Sequence, residues 1–213
     1  MRIIEFQSFI REFPFKNQSF DIKRENWKVD LHEDFITDLF AGKDTITLNR
    51  FDLFNSKMEI KEFIFKTLMW GYPTKGRGNN IDNLLKNESL DKLIQTIGDF
   101  KENKISIGEM LDEMQAIHSL GTSTITKFAY FLNTEIAGNK VVILDQKIID
   151  TINSGRFEEL NELKGIKYDK TRKQYNKYLQ IINGLSKSMN VEPDQIEIFL
   201  FTFGKNLSEL RGY

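Results

Sequence analysis

Beyond residue 58 the apolar positions recur at helical intervals. Ile60, Phe63, Ile64, Phe65, Leu68 and Met69 share one face, which predicts a helix over Glu59 to Met69. The helix stops at Trp70-Gly-Tyr-Pro73, where Pro73 disfavours a helical Tyr72 and Gly71 supplies turn freedom. A polar, Gly-rich loop runs from Lys75 to Asn80. Further helical patterns cover Leu84–Phe100, Ile107–Ser119, Thr122–Asn133, Asp145–Asn153, Glu158–Leu163, Thr171–Met189 and Pro193–Phe203. The clear β-like run in this part of the chain is Val141-Val-Ile-Leu144, too short to build a sheet. Residues 1–58 are less regular. Phe-rich pieces flank the alternating stretch Asp44-Thr-Ile-Thr-Leu48, which predicts a short helix, loops and a minor β element near the N-terminus. The expectation is a mainly α fold in one compact unit over 1–213: an irregular segment 1–58, then a helical body 59–213 with a hairpin at 107–132.

Composition narrows the chemistry. The 213 residues are 40% hydrophobic and include 18 Phe, enough for one core or a compact pair of lobes. Absence of Cys excludes disulfides, thiolate nucleophiles, Cys-ligated zinc and iron–sulfur clusters. With only His32 and His118, a metal site would need carboxylates for most of its ligands, and no metal or cofactor is expected. Met1 to Arg11 mixes charge with Phe and Ile, and the longest apolar stretches, Val141–Leu144 and Ile198–Phe201, cannot cross a bilayer. A cytoplasmic protein without a membrane partner is expected. The net charge of −1 argues against nonspecific coating of nucleic acid. Locally the balance differs: six Lys/Arg face one Asp between Lys164 and Lys177. That stretch is either a phosphate-binding face or an ordinary solvated one.

The window from His118 to Asp150 carries the most specific signal. A helix meets a tight turn at Leu120-Gly-Thr-Ser123, and Thr124 to Leu132 continues as a second helix. Gly121 allows the reversal, the Thr/Ser cluster can cap the second helix, and the turn presents backbone N–H groups suited to phosphate. Then Val141 to Leu144 delivers a carboxylate, Asp145, to the start of a helix with Ile148, Ile149 and Ile152 on its apolar face. Asp145 suits a helix N-cap. It also suits N-glycosidic cleavage, where positive charge grows on the sugar and a nearby anion stabilises it.

These residues carry a resemblance. Gly121-Thr-Ser-Thr-Ile-Thr-Lys-Phe-Ala-Tyr-Phe-Leu132 followed by Val142-Ile-Leu-Asp-Gln-Lys-Ile148 resembles the hairpin and catalytic-Asp segment of the helix-hairpin-helix DNA glycosylases, closest to the 8-oxoguanine glycosylase-like branch. Leu68-Met-Trp-Gly-Tyr72, Tyr175-Asn-Lys-Tyr-Leu179 and Ile196 to Gly204 resemble other helices of the same proteins. The resemblance implies two helical lobes with a cleft, and a monomer acting on duplex DNA that contains a modified base. Asp145 matches the catalytic Asp. Lys127 is the Lys available on the second hairpin helix for the catalytic amine, although it lies about two residues beyond the usual eukaryotic position. One turn after Ser123 and on the same face, its stem reaches back toward the turn; a surface Lys meeting phosphate or solvent is the alternative. The usual Gly-x-Gly turn is here Gly121-Thr-Ser123, which Ser tolerates only at negative φ.

A flipped base needs aromatic faces and amide partners. Trp70, Tyr72, Arg77, Asn79 and Asn80 offer them, with Trp70 otherwise a core aromatic. Candidate DNA contacts are Gly121, Thr122, Ser123, Thr124, Lys147, Lys164, Lys167, Lys170, Arg172 and Lys173. The expected activity is excision of a modified base, 8-oxoguanine-like purines foremost, with or without strand cleavage through a Lys Schiff base. Two other classes remain open: a non-catalytic hairpin DNA-binding module, and an all-α protein-interaction domain.

Overall fold

A computed structural model describes residues 1–55, 57–76, 78–167 and 172–209, the side chains of 172, 173, 208 and 209 excepted. In chain order the elements are α1 (Gln7–Glu12), β1 (Ser19–Lys23), α2 (Glu33–Phe40), β2 (Thr45–Asn49), α3 (Ile60–Gly71), α4 (Asn80–Leu84), α5 (Asn87–Lys101), α6 (Ile107–Gln115), α7 (Thr122–Phe131), β3 (Glu135–Ile136), β4 (Asn139–Lys140), α8 (Gln146–Asn153), α9 (Arg172–Met189) and α10 (Pro193–Glu209). The mainly α class is therefore correct, as is a small sheet near the N-terminus. No helix of the described residues is long and apolar enough to cross a membrane.

The chain divides into two compact units, residues 16–132 and residues 1–15 with 133–213. In the first, β1 and β2 pair antiparallel with Ser19 opposite Asn49 and Lys23 opposite Thr45. The alternating stretch at Asp44 pairs with Ser19-Phe-Asp-Ile-Lys23, which alternates polar and apolar residues in the same way. Helix α3 packs on this hairpin and also on α5 and α7. Its residues Phe63, Ile64, Phe65, Leu68, Met69 and Trp70 are all buried, so the helix sits at the centre of its unit. The expected Leu84–Phe100 helix is broken: α4 ends at Leu84 and α5 starts at Asn87. Leu84 and Leu85 are both buried, and a continuous apolar pattern conceals such a break.

In the second unit α10 packs against α1, α8 and α9. The α8–α10 approach is close at Gly204, where a Cβ would come within 2.6 Å of the Thr151 side chain. Gln7 donates to the Met189 carbonyl, and Gln195 donates to the carbonyls of Ile10 and Arg11, which ties α1 to the C-terminal helices. Phe6, Phe9, Phe13, Phe199 and Phe203 form a run of ring contacts between them. Glu158–Leu163, expected as a helix, is 3-10.

Candidate functional site

Helix α6 starts with a capping box. The Glu109 carboxylate accepts from the Ser106 N–H at 2.7 Å, and the Ser106 hydroxyl accepts from the Glu109 N–H. The backbone N–H of Ser106 accordingly holds the Glu109 carboxyl below its ordinary range. The turn that follows differs from expectation. Its left-handed residue is Ser119, at φ 66°, and Gly121 is extended at φ −84°, ψ 163°. Gly121 is itself the N-cap of α7 and provides no side-chain cap, so the Thr/Ser cluster has other partners. Thr126 Oγ1 donates to the Ser123 carbonyl, and Thr124 Oγ1 meets the Tyr72 hydroxyl at 2.7 Å. Ser123 lies inside α7 and not at positive φ, so the Gly-to-Ser departure carries no backbone strain.

Every residue of α7 from Ser123 to Phe131 is buried, Lys127 included, at 4% exposure. The surface-Lys alternative is therefore set aside by packing. The Lys127 amine turns back along the helix and donates to the Ser123 hydroxyl, with the Ser123 carbonyl 3.5 Å away. It also lies 5.5 Å from the centre of the Tyr72 ring, within cation–π range. Gly71 was expected to open a turn; it is instead the last residue of α3, with Lys127 Cδ and Cε packed where its side chain would be. The helix ends at Tyr72, whose N–H still donates to the Leu68 carbonyl ahead of Pro73.

The residues expected to form a base pocket do not share one environment. Trp70 is 3% exposed, with Phe20 and Phe131 edge-on and the Arg50 guanidinium 5.3 Å from its ring. Its indole N–H donates to the Gln18 carbonyl at 3.4 Å. Trp70 is thus a core side chain. Tyr72 is half-buried, and Asn79 and Asn80 are exposed at the start of α4. Arg77 lies outside the described residues. Sequence reasoning missed Arg50, which is 1% exposed. It donates through Nε and Nη2 to the Gln18 side-chain oxygen, and through Nη1 to the Tyr130 hydroxyl.

In the other unit Val141–Leu144 is extended and buried but joins no sheet. Its first N–H, from Val141, donates to the Thr134 carbonyl at 3.0 Å, and two of its carbonyls take side chains of α9. Tyr175 donates to the Val142 carbonyl at 2.7 Å and Tyr178 to the Ile143 carbonyl at 3.1 Å. Asn183 closes the pattern, donating to the Lys140 carbonyl and accepting from its N–H, both at 3.0 Å. The i, i+3 spacing of two tyrosines on a helix was the available signal. The held run ends at Asp145, half-buried, the N-cap of α8, its carboxylate accepting from the Lys147 N–H at 3.1 Å.

Among the expected DNA contacts, Thr122 and Gly121 are half-exposed, and Ser123 and Thr124 are buried. Lys147, Lys164 and Lys167 are exposed, with the Lys147 amine 4.5 Å over the Phe201 ring. Lys170 and the side chains of Arg172 and Lys173 lie outside the described residues. No group of three or more His, Asp or Glu among the described residues could hold a metal ion.

A family model described as "Putative 8-oxoguanine DNA glycosylase OGG-like protein" matches residues 14–201, a span that includes both Lys127 and Asp145. The chain belongs to this OGG-like family. No curated protein and no solved structure matches it. Membership agrees with the resemblance carried by the hairpin and the Asp145 segment, and it ties this OGG-like protein to a glycosylase-like role on DNA. Beside the two residues that the resemblance singles out, the structure adds their immediate supports: Gly71, Tyr72 and Ser123 around Lys127, and Tyr175, Tyr178 and Asn183 behind Asp145.

Proposed function

We propose that this OGG-like protein is a DNA glycosylase that flips out and excises a modified base, an 8-oxoguanine-like purine foremost. The observation that carries the reading is Lys127: an amine buried to 4% exposure on the second hairpin helix and held against a hydroxyl, not extended into solvent. Burying an amine is costly, and here the amine is turned back toward the hairpin turn by the Ser123 hydroxyl with the Tyr72 ring beside it, which places a nucleophile at the segment that the resemblance assigns to catalysis. As nucleophile, the unprotonated amine forms a bond to the sugar C1′ while the base leaves with the N-glycosidic electron pair. The attached nitrogen then gives up a proton and the ring oxygen takes one as the C1′–O4′ bond breaks, leaving the imine; removal of a C2′ proton forms the C2′–C3′ double bond and expels the phosphate from C3′. Asp145 stabilises the positive charge that grows at the sugar. Lys147, Lys164 and Lys167 supply phosphate contacts, and the Gly121–Thr124 turn offers backbone N–H groups to the same end.

Lesion-bearing duplexes, with abasic sites and nicks scored separately, test the activity. Lys127→Gln should abolish borohydride trapping of a covalent DNA adduct. Asp145→Asn keeps the capping oxygen and should lower excision by about two orders of magnitude with DNA binding retained. The Asp145–Lys147 N-cap bond favours a second reading, a non-catalytic DNA-binding module in which the carboxylate is only a cap. Excision by Asp145→Asn at the parent rate would sink the catalytic assignment. Excision without any trapping in the parent protein would make the enzyme monofunctional, with water as the nucleophile.

A further inference from the structure

A Cβ built on Gly71 would lie 3.0 Å from Lys127 Cδ and 3.1 Å from Cε. Those distances are tighter than most real contacts of a Cβ, so the lysine stem lies in space that a side chain at residue 71 would crowd. The neighbouring residue closes the slot from a second side. Tyr72 sets its ring 5.5 Å from the amine, and the bond from its hydroxyl to Thr124 Oγ1 at 2.7 Å fixes the ring's rotation. Thr124 is in the first turn of α7, so this bond links the end of α3 to the start of the helix that bears Lys127. The Ser123 hydroxyl receives the amine at the end of the slot.

A free lysine side chain samples many rotamers, and a nucleophile displaced by about 1 Å can lose roughly a hundredfold in rate. From this arrangement we infer that Gly71 and Tyr72 are positioning residues for the Lys127 amine. Gly71 leaves the channel for Cδ and Cε, and Tyr72 holds an aromatic face against the charge. The inference rests on the reading of Lys127 as nucleophile, and the test separates the two.

Gly71→Ala is the informative variant. Ala is the better helix former, and the atoms its Cβ meets are the flexible end of a lysine. The fold should hold, with a melting temperature at or above the parent's, while the stem is forced aside. The stem need give by only a few tenths of an ångström, so single-turnover borohydride trapping should fall by about threefold to tenfold, with affinity for the same duplex unchanged. Tyr72→Phe should give a smaller fall of the same kind. Gly98→Ala is the matched control: it also replaces a helical glycine, and its nearest foreign atom is Ile60 Cδ1 at 3.5 Å. A second readout needs no DNA: acetylation of Lys127 by acetic anhydride, measured by mass spectrometry against exposed Lys43. The ratio should rise in Gly71→Ala and stay level in Gly98→Ala. Parent-like trapping and acetylation in Gly71→Ala would overturn the inference, as would an equal loss in Gly98→Ala or a marked drop in the melting temperature of Gly71→Ala. If the parent protein excises bases but never traps, the nucleophile reading fails on its own. The acetylation ratio then still decides whether Gly71 fixes the amine.

Discussion

The segment around Lys127 and the segment leading to Asp145 solve opposite problems. In the first, α3 and α7 satisfy their own backbones as helices, and what is buried is charge: Lys127 at 4% and Arg50 at 1% exposure. In the second, the charge stays half-exposed at Asp145, and what is buried is an extended backbone with no sheet partner. Each arrangement therefore needs side chains of a different kind. The buried basic side chains take aromatic faces and neutral oxygens: Tyr72 and Ser123 for Lys127, and Trp70, Tyr130 and the Gln18 amide oxygen for Arg50. Buried carbonyls take donors, which Tyr175, Tyr178 and Asn183 provide. It follows that charge removal has different meanings in the two places. At Lys127 it disturbs packing as well as chemistry, whereas at Asp145 an isosteric amide leaves the structure nearly intact.

Stability measurements can break this contrast. Arg50→Met should have the largest effect, because it removes three donors and two ring contacts from the core of its unit. A loss of about 2–4 kcal/mol in urea unfolding is expected. Tyr175→Phe and Tyr178→Phe each remove one donor to a buried carbonyl and should cost about 1–2 kcal/mol. The two rings are stacked at 6.2 Å, so the double variant should depart from additivity. Were either tyrosine variant to cost more than Arg50→Met, buried charge would not be the more demanding of the two problems.

The smallest effect concerns the entry to the hairpin. Glu109 has its carboxyl lowered by the Ser106 N–H, so its contribution is present above the unfolded value and lost as pH falls through the folded one. Glu109→Gln should lower stability slightly at neutral pH, where the parent's carboxylate contributes, and converge on the parent at acid pH, so that the acid limb of its stability profile is flatter. A parent-like acid profile in Glu109→Gln would show that the cap has no measurable thermodynamic weight.

Helical periodicity made most of the helices legible, because a buried face repeats its residues every three or four positions. The N-cap at Asp145 was legible for a similar reason: capping is local chemistry. What escaped depends on distant partners. Arg50 follows a strand and reads as an ordinary polar turn residue until Gln18, Trp70 and Tyr130 are brought around it. Gly71 reads as punctuation beside Pro73, and only the fold shows that the missing side chain is space for a lysine. Trp70 carries the residue type of a base-stacking platform, but its ring faces Phe20, Phe131 and Arg50. Residue type at a helix end cannot report which neighbours have already taken the ring. The turn is a subtler case, since Gly121 marks its location correctly while the left-handed conformation falls on Ser119.

The division of the chain has a consequence for its birth on the ribosome. Residues 16–132 are contiguous and complete as soon as they emerge, whereas residues 1–15 belong with residues 133–213. At about 5–20 residues per second, α1 waits roughly ten to forty seconds for α10 to be made. Throughout that interval Phe6, Phe9 and Phe13 lack Phe199 and Phe203, the rings they meet in the finished protein. Slower translation lengthens the time for which those rings stay without their partners from α10.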